Sequence, residues 1–170
     1  MSNRRQVREL ALQMLYQLDA RGEADLEQIS ATVQEAPFGH EVRKQATQLA
    51  EQAWAQRATA DELASEVAPD WPTHRQPVVD RNLIRLAYHE MVSGRAPTAV
   101  AINEAIELAK SYSSERSPSF INGVLDRLAR KLHEKPGAEG EADASAGPAA
   151  EPSTGDAWLD DAIKDKPDAE

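Results

Sequence analysis

Cysteine is absent from this chain of 170 residues. The protein therefore forms no disulfide, holds no metal through thiolates and has no cysteine nucleophile. Its four histidines lack the H-x-H or H-x-x-x-H spacing of common zinc sites, so we expect no metal and no other cofactor. Glycine-rich phosphate-binding loops and the G-x-S-x-G motif are also absent. These absences predict a protein without catalytic residues, which is not an enzyme.

Long apolar runs are missing as well. No stretch approaches the roughly 18 uninterrupted apolar residues of a membrane-spanning helix. The N-terminus carries arginines but not the apolar core of a secretory signal. We therefore expect a soluble, cytoplasmic protein.

Acidic charge is concentrated toward the C-terminal end of the sequence. The net charge is −10, and residues 135–170 contribute −7 of it, with ten acidic and three basic side chains. This segment is rich in Ala, Gly and Pro and has too few apolar residues to form a core, so we predict a disordered acidic tail. Its apolar residues Trp158, Leu159 and Ile163 form either a docking motif or part of an idle tail.

The segment before the tail, residues 1–134, is close to electrical balance, with sixteen basic and nineteen acidic residues. Its first eight residues include Arg4, Arg5 and Arg8 and no acidic residue. A mildly acidic protein still binds nucleic acid when basic residues cluster locally. The N-terminus is therefore a candidate basic patch.

Residues 1–134 are predicted to form an all-α domain. Apolar residues recur at helical spacing, alternating strand-like runs are absent, and Ala, Leu, Gln, Glu and Arg dominate. We predict about seven helices, near residues 4–20, 25–35, 40–57, 59–68, 77–92, 97–112 and 118–133.

Prolines divide this domain. Pro69 and Pro72 interrupt the helical pattern near its middle, which predicts two packed helical subdomains, about 1–70 and 71–134. Pro118 and the proline at 97 are expected at first helical positions, with Ser117 capping the last helix.

The last predicted helix contains Asn122-Gly123, a dipeptide typical of hairpin turns. The apolar residues around it nevertheless follow helical spacing, so we predict an uninterrupted helix. Phe120 falls outside the apolar stripe, with Arg127 near it, an arrangement that suits base stacking and phosphate binding. Gly123 either allows a ligand to approach Phe120 or admits a neighbouring helix, and the two interpretations are about equally supported.

Helical periodicity also assigns faces to the other helices. In the first, Arg5, Arg8 and Tyr16 share a flank beside the apolar stripe, either as a solvated shoulder or as a ligand surface. In the sixth, Tyr112 is expected on the buried face. In the fifth, Asp80 and Arg81 are expected to be exposed, whereas Glu90 lies near the apolar side and requires a partner, for which Arg85 and Asn103 are candidates.

Three segments, RRQVRELALQMLYQLD, VDRNLIRLAYHEM and VAINEAIELAKSYSSERSPSFINGVLDRLAR, together resemble the bacterial NusB family of transcription antitermination proteins. The resemblance runs in order over residues 4–132. It implies two packed three-helix bundles and a non-enzymatic role. It also implies binding to boxA-type single-stranded RNA and to ribosomal protein NusE, within an antitermination complex on RNA polymerase that serves notably ribosomal RNA transcription.

The resemblance also assigns residues, which we combine with the face analysis. The predicted RNA-binding residues are Arg4, Arg5, Arg8, Arg116, Ser117, Phe120, Asn122 and Arg127. The predicted NusE-binding residues are Tyr16, Asp80 and Arg81. Gln6 stands where relatives often carry a basic residue, so the expected affinity for phosphate is lower. Arg116 stands where a relative can carry an acid, so this difference raises the expected affinity for RNA. The acidic tail has no counterpart in the family pattern.

Two other functions remain open at this point. One is a helical adaptor that binds only protein. The other is a stand-alone relative of the RNA-binding domain of ribosomal RNA methyltransferases, although the chain lacks the catalytic cysteine of those enzymes. A monomer and a homodimer are both compatible with the sequence.

Overall fold

The computed structural model describes residues 3–134, and its regular secondary structure there is all helical. The α-helices of this part are α1 (Asn3–Arg21), α2 (Leu26–Gln34), α3 (His40–Ala55), α4 (Arg57–Val67), α5 (Val78–Val92), α6 (Thr98–Tyr112) and α7 (Ser117–Glu134). The predicted all-α class is confirmed, and α7 runs through Asn122-Gly123 without a break. The predicted disordered tail lies outside the described residues.

Proline and glycine set several helix ends. Pro77 and Pro97 have extended backbone angles and stand immediately before α5 and α6, so each is an N-cap and not the first helical residue that we expected of Pro97. Gly22 after α1 and Gly94 after α5 have positive φ, a conformation that glycine adopts without steric cost.

Two apolar cores hold the helices together. The first is built from α1, α2 and α3, and the second from α4, α5, α6 and α7. Each core also receives one leucine from the other bundle, since Leu86 of α5 enters the first and Leu12 of α1 enters the second. The two cores therefore divide the described residues between α3 and α4, and not at the predicted boundary of 70 and 71, because α4 packs into the second core.

Helix α5 is the central element. Ten of its fifteen residues are buried, and it contacts α1, α3, α4, α6 and α7. The buried set includes charged and polar side chains, which are stable in such a place only when they are paired. The partners that α5 finds therefore fix how α1, α6 and α7 are placed around it.

One group of polar contacts joins the C-terminal part of α1 to α5 and α4. Asp19 accepts hydrogen bonds from Arg81 at 2.6 Å, from Asn82 at 2.9 Å and from Arg85 at 3.0 Å, and Arg85 also pairs with Asp61 at 2.6 Å. Burial acts to raise the pKa of Asp19, but the arginine and asparagine contacts outweigh it and hold that pKa below its ordinary value. The pairing therefore stabilises the folded protein at pH values above the ordinary pKa of an aspartate, and this stabilisation is lost as the pH falls further.

His89 belongs to α5, and its side chain contacts Gln56 between α3 and α4. Its Nδ1 is 2.9 Å from Oε1 of Gln56, while its buried Nε2 has no hydrogen-bond partner among the described residues. Burial, together with the charge of Arg95, lowers the pKa of His89 despite the opposing charge of Glu90.

We expect this histidine to make the protein less stable in mild acid. Below a pH of about 6.5 the unfolded chain takes up a proton that the folded chain resists, so stability is lost as the pH falls. Replacing His89 by glutamine should flatten the dependence of the unfolding free energy on pH between about 7 and 5, by at most about 1.4 kcal/mol per pH unit. Urea denaturation at several pH values measures this, with the exposed His40→Gln as the control. An unchanged slope in His89→Gln would contradict the assignment.

Candidate nucleic-acid interface

The three arginines at the start of α1 lie in three different environments. Arg4 is exposed. Arg5 is partly exposed and donates from Nε and Nη2 to the two carboxylate oxygens of Glu104 on α6, each at 3.2 Å. Arg8 is only 6% exposed. The run of arginines is therefore not a continuous basic surface.

Arg8 is paired with Glu90 of α5 inside the protein. Its Nε lies 3.1 and 2.9 Å from the two oxygens of Glu90, and both side chains are buried. The prediction that Arg85 or Asn103 pairs with Glu90 is wrong, and the burial of Arg8 argues against the predicted phosphate contact. The physical reason is that α1 packs between the two cores, so the flank carrying Arg8 faces α5 and α6 instead of solvent.

A second buried polar group joins the N-terminus of α5 to the start of α7. Asp80 is 2% exposed and accepts hydrogen bonds from Ser117 at 2.8 Å and from Ser113 at 2.5 Å. The expectation that Asp80 is exposed is wrong, and its burial argues against the predicted NusE contact. Ser117 is the first residue of α7 and is buried, so it is not the cap that we predicted, and its burial argues against the predicted RNA contact. These two residues position the start of α7.

The remaining predicted RNA-binding residues are accessible to different degrees. Arg116 and Asn122 are exposed. Phe120 is partly buried and packs against the second core, leaving part of its ring at the surface. Arg127 is also partly buried, and its Nη1 donates to the carbonyl of Val67 at the end of α4 at 3.3 Å. Part of the hydrogen-bonding capacity of Arg127 therefore stabilises the α4 terminus.

A groove with a cavity volume of about 290 Å³ lies where α1, α5 and α6 meet. Tyr16 and Tyr112 line it, exposed by 47% and 43%, together with Leu12 and Val79. The prediction that Tyr112 lies on the buried face of α6 is wrong, because it is the last residue of the helix and its hydroxyl donates to Glu9 of α1. The sequence had placed Tyr16 and Leu12 on one flank of α1, but it did not indicate Tyr112 on this surface.

Arg81, predicted to contact NusE, does not line this groove; it lines a separate pocket with Asp61 and Arg85 and forms a bidentate ion pair with Asp19. Sequence reasoning also missed the contact that Glu104 of α6 makes with the N-terminal arginines. Its partner Arg5 is 99 residues away in the chain, so no local spacing could indicate the pair.

These features define an all-α, two-bundle module that carries accessible cations and aromatic rings at its surface. Within residues 3–134, no group of three or more His, Asp or Glu side chains is arranged to hold a metal ion. None of the helices in the described part is long and apolar enough to span a membrane.

Comparison with known proteins gives the particular family. The NusB family model matches residues 5–130, and the chain belongs to the NusB family. The transcription antitermination protein NusB of Anaeromyxobacter sp. (strain Fw109-5) is 42% identical over 130 residues, covering 76% of this chain and 91% of that protein.

Solved structures agree. The structure of T. maritima NusB is similar with a TM-score of 0.68 and 35% identity, covering 75% of this chain and 91% of that one. A crystal structure of the antitermination factors NusB and NusE in complex with dsRNA contains a chain that is similar with a TM-score of 0.67 and 25% identity, over 77% of this chain and 98% of that chain.

Proposed function

We propose that this protein is a transcription antitermination factor that binds boxA-type single-stranded RNA together with ribosomal protein NusE. The pair joins the RNA polymerase elongation complex with other Nus factors, notably during ribosomal RNA transcription. The protein acts in the cytoplasm by binding and not by catalysis. The observation that carries the proposal is the family match over nearly all of the described residues, to antitermination proteins of the same fold.

The RNA-binding surface in this proposal consists of the accessible members of the predicted set. Arg4, Arg5 and Arg116 supply charge for phosphates, and Asn122 supplies an exposed amide at the start of α7. The partly exposed ring of Phe120 is available for a base to stack on. The burial of Arg8 and Ser117 supports a different role for them, which is to hold α1 and α7 in position.

The NusE-binding surface in this proposal is the groove between Tyr16 and Tyr112. Two large, half-exposed aromatic rings beside the apolar side chains of Leu12 and Val79 are typical of a protein-binding site. Arg81 contributes by holding Asp19 and thereby the relative placement of α1 and α5.

Replacing Arg5 by alanine tests the RNA-binding part of the proposal. Binding that neutralises about three to five phosphates of single-stranded RNA has a log–log salt slope near −2 to −3.5. Because a phosphate contact carries no sequence information, Arg5→Ala should weaken binding to all RNA sequences and reduce the magnitude of the slope by about 0.7. Anisotropy titrations of labelled RNA over a series of salt concentrations measure both.

The same titrations separate this proposal from the protein-only adaptor. An adaptor without RNA binding would show no salt-sensitive RNA affinity in either the wild type or the variant. Lys44→Ala, which removes an exposed cation from α3, serves as the control for the general loss of one positive charge.

A further inference from the structure

Glu104 occupies the position on Arg5 that a phosphate would need. An arginine presents a planar fork of N–H donors that fits a carboxylate and a phosphate with the same bidentate geometry. In this structure Nε and Nη2 of Arg5 both donate to Glu104. A phosphate that binds these two donors must therefore displace the carboxylate.

The charges around Arg5 distinguish Glu104 from the neighbouring acids. Glu9 accepts a hydrogen bond from the hydroxyl of Tyr112, and Glu107 forms an ion pair with Lys110 at 2.7 Å. Glu104 instead contacts the arginines of α1, with Arg5 at 3.2 Å and Nη1 of Arg8 at 3.8 Å. Arg5 and Arg8 are thus already in contact with the Glu104 carboxylate when no RNA is bound.

The two pairs on α1 differ in how easily they open. The pair of Arg8 and Glu90 is buried, and separating it would leave charges without partners inside the protein. The side chains of Arg5 and Glu104 are 36% and 19% exposed, so water can replace either partner. Only the outer pair is suited to exchange with a ligand.

We infer that Glu104 competes with RNA phosphate for Arg5 and so sets the strength of sequence-independent RNA binding. The inference rests on the proposed function. Phosphate contacts account for most sequence-independent affinity, so a carboxylate that must be displaced lowers affinity for every RNA.

Glu104→Gln tests this inference. The amide keeps the size of the side chain and an oxygen acceptor but removes the negative charge. We expect binding of a scrambled single-stranded RNA to become about two- to five-fold tighter, because a partly exposed ion pair of that strength no longer has to be broken. Glu41→Gln, the same change at an exposed site on α3, controls for net charge.

A double-variant cycle identifies the group on which Glu104 acts. In the Arg5→Ala background, Glu104→Gln should no longer change RNA affinity, because the donor for which it competes is absent. Tightening that persists without Arg5, or that Glu41→Gln reproduces, would overturn the inference, as would unchanged affinity in Glu104→Gln when the wild type binds RNA. Absence of salt-sensitive RNA binding by the wild type, alone and with NusE, would instead remove the proposed function and the inference with it.

Discussion

Replacing Arg8 by methionine will lower the free energy of unfolding by about 3–5 kcal/mol, because it leaves the carboxylate of Glu90 buried without its partner. Both side chains of the pair are nearly inaccessible to water, and α5 is enclosed by helices around Glu90. Methionine fills much of the same volume, so the loss of stability reports the unpaired charge more than a cavity. Urea denaturation followed by circular dichroism measures the change.

The double variant Arg8→Met, Glu90→Met is the matched control. Replacing both members of a buried ion pair with apolar residues of similar size is often neutral or stabilising, so most of the lost stability should return. A single variant as stable as the wild type that nevertheless loses RNA affinity would contradict the account. That result would show that Arg8 reaches RNA, as the sequence alone had predicted.

Replacing Phe120 by alanine will weaken RNA binding by about 1–3 kcal/mol if a base stacks on the ring. The ring also packs against the second core, so some stability is lost as well, but less than the roughly 3–5 kcal/mol of a fully buried phenylalanine. Affinity must therefore be expressed per folded molecule, with the folded fraction measured by circular dichroism under the titration conditions.

Phe120→Leu separates the two roles. Leucine retains most of the apolar packing but has no aromatic face, so its stability should stay close to that of the wild type while the loss of RNA affinity persists. Full RNA affinity per folded molecule in both variants would contradict the stacking role, and Phe120 would then be a core residue only.

Much of the fold follows from local sequence signals. The six apolar residues spaced along α1, namely Val7, Leu10, Ala11, Met14, Leu15 and Leu18, are all buried as their period predicts. The helix around Asn122-Gly123 was correctly predicted because the flanking apolar residues keep helical spacing. A signal of this kind lies within one helix and needs no knowledge of the partners.

The positions of the site residues depend on contacts between different helices, which the pattern within one helix does not show. Arg8 was predicted to lie at the surface because a helix of one bundle has one buried face, whereas α1 is buried on two. Its partner Glu90 is 82 residues away in the chain, and Ser117 is 37 residues from Asp80. Spacing cannot reveal such pairs, since they depend on how helices pack.

The proposed function requires that this protein recognise boxA RNA together with NusE. The most direct measurement is an anisotropy titration of labelled boxA-type RNA and of a scrambled RNA, by this protein alone and with purified NusE, at two salt concentrations. We predict salt-sensitive binding that favours boxA and tightens when NusE is present. If neither the protein nor the pair distinguishes boxA from the scrambled RNA, the fold stands but the proposed function is contradicted, and an adaptor that binds only protein becomes the leading explanation.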